Sequence, residues 1–149
     1  MPEKKILYRL MSSADGEREF YGVMGKFFAS AAVMRDLHGY PLNNDDSRMW
    51  IVAFSGERVV GFASFGVGKR DEGHLFDAWV DLGYRKRGIY ARMLDLCMQW
   101  FIDHNISLVH VIAYPGMQER FNKLGFTLDN MRGKYAYMSG APALMEDLE

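Results

Sequence analysis

Apolar residues along the 149-residue chain recur first at strand-like and then at helix-like intervals. Residues 5–11 alternate loosely, as an edge strand does, and Ser12, Ser13, Asp15 and Gly16 then read as a loop. Over residues 17–37 the period lengthens: Phe20, Met24, Phe27, Phe28, Ala31 and Met34 share one helical face, with Arg18, Glu19, Lys26, Arg35 and Asp36 largely elsewhere. A single amphipathic helix is predicted there, ended by Gly39 and Pro41. After the polar turn Asn43-Asn44-Asp45-Asp46-Ser47, residues 49–54 and 58–67 are predicted strands joined by Ser55-Gly56-Glu57, with Gly61 weakening the second. A turn over residues 68–73 leads to residues 74–82, apolar and aromatic enough for a mostly buried strand.

Ile89, Met93, Leu94 and Cys97 then return at helical spacing, predicting a helix from about Gly88 to about His104. Residues 107–113 are β-branched and aliphatic and read as a strand broken by Pro115-Gly116. Residues 117–124 form a short predicted helix ended by Gly125, and residues 126–128 and 134–138 a final pair of strands. The order is strand, helix, three-strand meander, helix, strand, short helix, two strands, which implies an α/β (α+β) mixed sheet with helices on both faces. One domain over residues 1–140 is expected, followed by an acidic tail, 141–149, expected to be loose.

Composition narrows the class. Hydrophobic residues at 49% and charged residues at 25% describe an ordinary soluble globular chain, and no stretch approaches the ~20 apolar residues of a membrane helix. A net charge of −1 argues against a broad nucleic-acid footprint and leaves only the basic patch of Lys69, Arg70 and Arg85 to Arg87. Cys97 is the only cysteine, so no internal disulfide forms, and a reducing, cytoplasmic setting is expected. It falls on the apolar face of its helix and reads as a core residue. His38, His104 and His110 have no metal-ligand spacing, so no metal is expected.

The chemistry gathers at the strand-to-helix turn. The first amides of a helix starting near Gly88 lack carbonyl partners within it and concentrate partial positive charge. Arg85, Lys86 and Arg87 add full charge, while Gly88 has no β-carbon to hold a phosphate oxygen away. A diphosphate fits such a turn. The three glycines of a dinucleotide fingerprint and the second glycine with Lys-Ser or Lys-Thr of a P-loop are both missing.

Arg85-Lys86-Arg87-Gly88-Ile89-Tyr90 resembles the Arg/Gln-x-x-Gly-x-Gly/Ala signature with which GNAT acetyltransferases hold the pyrophosphate of acetyl-coenzyme A. Val80-Asp81-Leu82 before it and Ala91-Arg92-Met93-Leu94 after it sit where that family has a strand end and an amphipathic helix. Lys123-Leu124-Gly125-Phe126 looks like the family's Lys-x-Gly-Phe ending, and the resemblance runs over residues 5–138. It implies an antiparallel meander with a parallel splayed strand pair, and a GNAT-like acyl-CoA-binding domain. The implied function is an N-acyltransferase, most simply an N-acetyltransferase, that moves the acetyl group of acetyl-CoA or another acyl-CoA directly to an amine without a metal.

The same resemblance distributes roles. Ala78, Val80 and Leu82 lend backbone contacts to the pantetheine arm, while Arg85, Lys86, Arg87, Gly88, Ile89, Tyr90 and Ala91 hold the diphosphate. Strand alternation puts His74, Phe76, Ala78 and Val80 on one face and Leu75, Asp77 and Trp79 on the other. His74 then stands where some family members carry the base that removes the amine proton, and imidazole suits the task because it titrates near neutrality. Asp77 is the rival base, should a β-bulge turn it inward. Phe121 replaces the family's usual proton-donating tyrosine, leaving Tyr114 and Tyr90 as the nearest phenols in the chain, and the usual asparagine is replaced in Tyr114-Pro115-Gly116-Met117. The acceptor is expected near Phe28, His38, Tyr40 and Tyr135, with Asp45 and Asp46 suiting a cationic amine. A small-molecule or protein amine is the expected partner, without a membrane, and a homodimer is left open. Two alternatives stand beside this reading: a CoA-binding regulatory or interaction module without turnover, and an acyltransferase acting on a nucleic acid.

Overall fold

A computed structural model describes residues 5–148. Its elements in chain order are β1 (Ile6–Met11), α1 (Glu17–Phe28), α2 (Ala31–Asp36), β2 (Met49–Ser55), β3 (Arg58–Val67), β4 (Gly73–Val80), α3 (Ile89–Asp103), β5 (Val109–Ala113), α4 (Gln118–Lys123), β6 (Thr127–Arg132) and β7 (Tyr135–Gly140). The strands hydrogen-bond in the order β1-β2-β3-β4-β5-β7-β6, a seven-stranded mixed sheet. β1 runs antiparallel to β2, and β7 runs antiparallel to both β5 and β6. β4 and β5 form a short parallel pair, with Gly73 opposite Val109 and His74 opposite His110. Two compact units divide the chain, one made of the described residues up to Ser64 with Asp77–Met93, the other of Phe65–Phe76 with the described residues from Leu94 onward.

In the first unit an aromatic core forms because α1 and the meander each present large rings to it. Phe20, Trp50 and Phe62 are fully buried, and Phe62 lies between Phe27 at 5.4 Å, Trp50 at 5.7 Å and Trp79 at 5.5 Å. Burial of one such side chain stabilises the fold by roughly 1.5–3 kcal/mol. The single helix predicted over residues 17–37 is two helices. α1 stops at Phe28, and the Ser30 hydroxyl accepts the Val33 amide at 3.2 Å as the N-cap of α2. The break rotates the apolar face, so Val33 and Leu37 are buried where Ala31 and Met34 were expected, and Met34 is exposed.

Asn44 ties the loop after α2 to this core. Its side-chain amide donates to the Ser13 and Tyr21 hydroxyls, each at 2.9 Å, and its oxygen accepts the Trp50 indole at 2.9 Å.

In the second unit Phe65 packs edge-on against Trp100 and Phe101, both 5.4 Å away, and Cys97, Met98 and Phe101 are fully buried. Burial pushes the Cys97 thiol well above its ordinary range, as befits a core residue. The final strands are longer than predicted, pairing across a hairpin with a register shift between Leu128 and Asn130. The tail, expected to be loose, instead turns over Met145–Leu148, where the Met145 and Glu146 amides donate to the buried Asp95 carboxylate of α3. An acidic composition hides this contact, because the donors are backbone amides.

Candidate active site

β4 contributes to both units. In the second, a Cβ built on Gly73 would meet the Phe101 ring of α3 at 2.7 Å, and His74 and Phe76, which share the opposite face of the strand, stack at 6.1 Å. In the first, the Val80 side chain shares its surroundings with Met93 of α3, while Trp79 packs on Phe27 and Phe62.

The turn that follows β4 belongs to the first unit. Lys86 and Gly88 both hold left-handed backbone, φ 62° and 81°, and the space a Cβ would take at Gly88 is open for 4 Å. Arg92 N–H to the Gly88 carbonyl, 3.0 Å, is the first bond of the α3 ladder, so the amides of the first turn point out of the helix mouth. Ile89 is buried and anchors that turn, while Arg85, Lys86 and Arg87 are exposed. Leu82 projects to solvent from a single helical turn before them. The arrangement fits a diphosphate: outward amides, exposed cations and no side chain over the glycine. Tyr90 and Ala91 are half-buried in the same first turn.

Arg85 is engaged within the protein. Its Nε donates to the Val80 carbonyl at 2.8 Å and its Nη2 to Asp36 Oδ2 at 2.8 Å, the same oxygen that accepts the Trp79 indole at 3.0 Å. The Trp79 hydrogen bond, followed by that of Arg85, holds the Asp36 carboxyl below its ordinary range. Asp36, which composition presents as a solvated helix charge, thus fastens the end of α2 to the turn that follows β4. Arg87 and Arg58 lie over the Tyr84 ring, at 5.1 and 5.8 Å.

The two candidate bases fall in different units. Asp77 belongs to the first: Ser64 Oγ accepts its amide at 3.1 Å, and its carboxylate lies 3.7 Å from the Arg48 guanidinium. Burial pushes the Asp77 carboxyl up, with Arg48 opposing. His74 belongs to the second and stacks on His110 at 5.1 Å and 22°, while His110 Nε2 donates to Glu72 Oε2 at 3.0 Å. Burial first, and the neighbouring His110 second, lower the His74 pKa, so its ring is unprotonated at neutral pH. Sequence pattern missed Glu72 and His110 because only the β4–β5 register brings them to His74.

Tyr114 directly follows β5, with its ring edge-on to Tyr135 at 5.8 Å. Phe121 is buried against Phe126. Phe28 packs among Phe20, Tyr21 and Trp50, whereas His38 and Tyr40 are exposed on the turn after α2. Asp45 accepts the Ser47 amide and hydroxyl, so its carboxylate is committed to its own turn. Among the described residues no three His, Cys, Asp or Glu side chains are grouped to hold a metal, and no helix is long and apolar enough to cross a membrane.

A seven-stranded mixed sheet with a short parallel pair and a basic strand-to-helix turn is the α/β class of fold that the similar solved structures share. The chain belongs to the acetyltransferase (GNAT) family, whose model matches residues 14–126. Similar solved structures include the ribosomal-protein-S18-alanine N-acetyltransferase from Escherichia coli (14% identity, 94% of this chain and 96% of that one, TM-score 0.70). GCN5 from Tetrahymena is alike at 16% identity over 91% of this chain and 96% of that one, TM-score 0.70. The PaiA N-acetyltransferase from Thermoplasma acidophilum, in complex with coenzyme A, matches at 13% identity over 92% of this chain and 99% of that one, TM-score 0.60. At these identities the likeness establishes the fold. No curated protein sequence matches the chain.

Proposed function

We propose that this chain is an acetyl-CoA-dependent N-acetyltransferase that passes the acetyl group directly to an amine. The observation that carries the reading is the open mouth of α3, where Gly88 at φ 81° leaves the first-turn amides approachable beside Lys86 and Arg87. Coenzyme A complexes among the similar structures support the same donor class. In this reading residues 1–140 are the acyl-CoA-binding domain, with the diphosphate over residues 86–91 and the pantetheine arm along the backbone of Ala78, Val80 and Leu82. Arg85 acts there through the turn it braces, because its guanidinium is committed to Val80 and Asp36.

His74 is the general base. The amine nitrogen bonds to the acyl carbon, the carbon–sulfur bond breaks, His74 takes the proton leaving the amine, and the Tyr114 hydroxyl returns one to the departing sulfur. A base that is already neutral at pH 7 can accept a proton there, which the burial of His74 favours. Phe28, His38, Tyr40 and Tyr135 line the acceptor side, and the acceptor is a small-molecule or protein amine. The single buried cysteine is in keeping with a reducing cytoplasm.

Calorimetry with acetyl-CoA, followed by thiol release across an amine panel, tests the proposal. Saturable binding and turnover that His74→Ala lowers at least a hundredfold, with binding retained, is the expected result. Absence of both acetyl-CoA binding and protection from heat by it ends the reading. The second reading, a CoA-binding module without turnover, draws on Phe121, which is buried and has no proton to give. Tight binding with no thiol release for any amine selects it.

A further inference from the structure

We infer that His110, held by Glu72, is a positioning residue that fixes the plane of the His74 ring, an inference resting on His74 as the base. The β4–β5 register sets His74 directly opposite His110, and the two rings stack at 5.1 Å with 22° between their planes. An ionised carboxylate only accepts hydrogen bonds, so the 3.0 Å contact with Glu72 places the His110 hydrogen on Nε2 and sets the rotation of that ring. Phe76 lies nearly parallel on His74 at 6.1 Å and 10°. On the remaining edge His74 Nε2 approaches Gly68, where a Cβ would stand only 2.9 Å away. The imidazole is thus bounded by His110, by Phe76 and by glycine backbone, and a loose side chain has become a fixed one.

The charges around it are few. Glu72 comes from the turn before β4, where Lys69, Arg70 and Asp71 are exposed, and His110 comes from β5. Opposite His110 on β7 stands the neutral Ser139. His110 therefore does two things to its neighbour: it packs the ring, and its proximity opposes protonation of His74.

The test is the titration of the His74 ring followed by NMR in the whole protein, with kinetics on an amine that turns over. His110→Phe keeps an aromatic face but removes the ionisable ring, so the His74 midpoint moves upward and the acid limb of kcat/KM follows it. His110→Ala removes the packing as well and lowers kcat about tenfold with KM for acetyl-CoA unchanged. Glu72→Ala reproduces the His110→Ala loss, and Glu72→Gln, which still accepts a hydrogen bond, restores most of the rate. An unchanged kcat in His110→Ala, in a protein whose amide spectrum shows it folded, overturns the inference. If the titration moves as expected but His74→Gln turns over normally, the coupling of the two rings stands and the assignment of His74 as base falls.

Discussion

Replacing Gly88 with alanine separates a backbone cost from a ligand cost. Gly88 sits at φ 81°, a conformation that L residues reach at a penalty of roughly 1–2 kcal/mol. Nothing lies within 4 Å of the added methyl, so no packing penalty joins it. At about 2–4 °C per kcal/mol for a chain of this size, the ligand-free variant melts roughly 2–8 °C below the wild type. The methyl also enters the space through which a phosphate would reach the helix amides, and loss of one charge-assisted hydrogen bond weakens binding about tenfold. Coenzyme A at a hundred times its wild-type Kd stabilises the wild type by about 2.7 kcal/mol. The same concentration is then only ten times the variant's Kd and stabilises it by about 1.4 kcal/mol. Thermal melts with and without coenzyme A, alongside calorimetric titration, measure both quantities. A variant that melts lower yet keeps the full coenzyme A shift refutes the placement of the diphosphate at this mouth.

Three further outcomes follow from the same geometry. Gly68→Ala, whose methyl presses on the end of the His74 side chain at 2.9 Å and reaches the Glu72 carbonyl only at 3.8 Å, leaves the melting temperature within about 2 °C but lowers kcat, read by thiol release and melts in parallel. Asn44→Ala strands the indole donor of fully buried Trp50 and unfastens the loop after α2, costing about 1–3 kcal/mol in urea denaturation. Asp36→Asn tests the brace on Arg85. Because the Asp36 pKa is lowered in the fold, the wild type's advantage is full above the ordinary carboxylate range and is lost as pH falls through the lower folded value. Melts of wild type and variant therefore converge in acid and diverge at neutral pH.

What could be read without coordinates divides along the range of the interactions concerned. The strands at residues 49–54 and 58–67, and the helix opening near Gly88, were legible because period and glycine placement are local signals, and the structure puts them at Met49–Ser55, Arg58–Val67 and Ile89–Asp103. Ser30 was equally local, yet it lay inside a long apolar period that continued through it, and its cap to Val33 won. The meeting of His74 with His110 was not local at all. It follows from the register of β4 on β5, two strands separated by the whole of α3, and no window of sequence registers it.

Two long-range contacts bear on the proposed chemistry more than any other departure. Asp36, a solvated helix charge by sequence, accepts from both Trp79 and Arg85 and so braces the turn proposed for the diphosphate. His110, a lone histidine by sequence, is held by Glu72 and stacks on His74, the proposed base. The two sets share no residue, so a substitution in one is expected to leave the contacts of the other as they are.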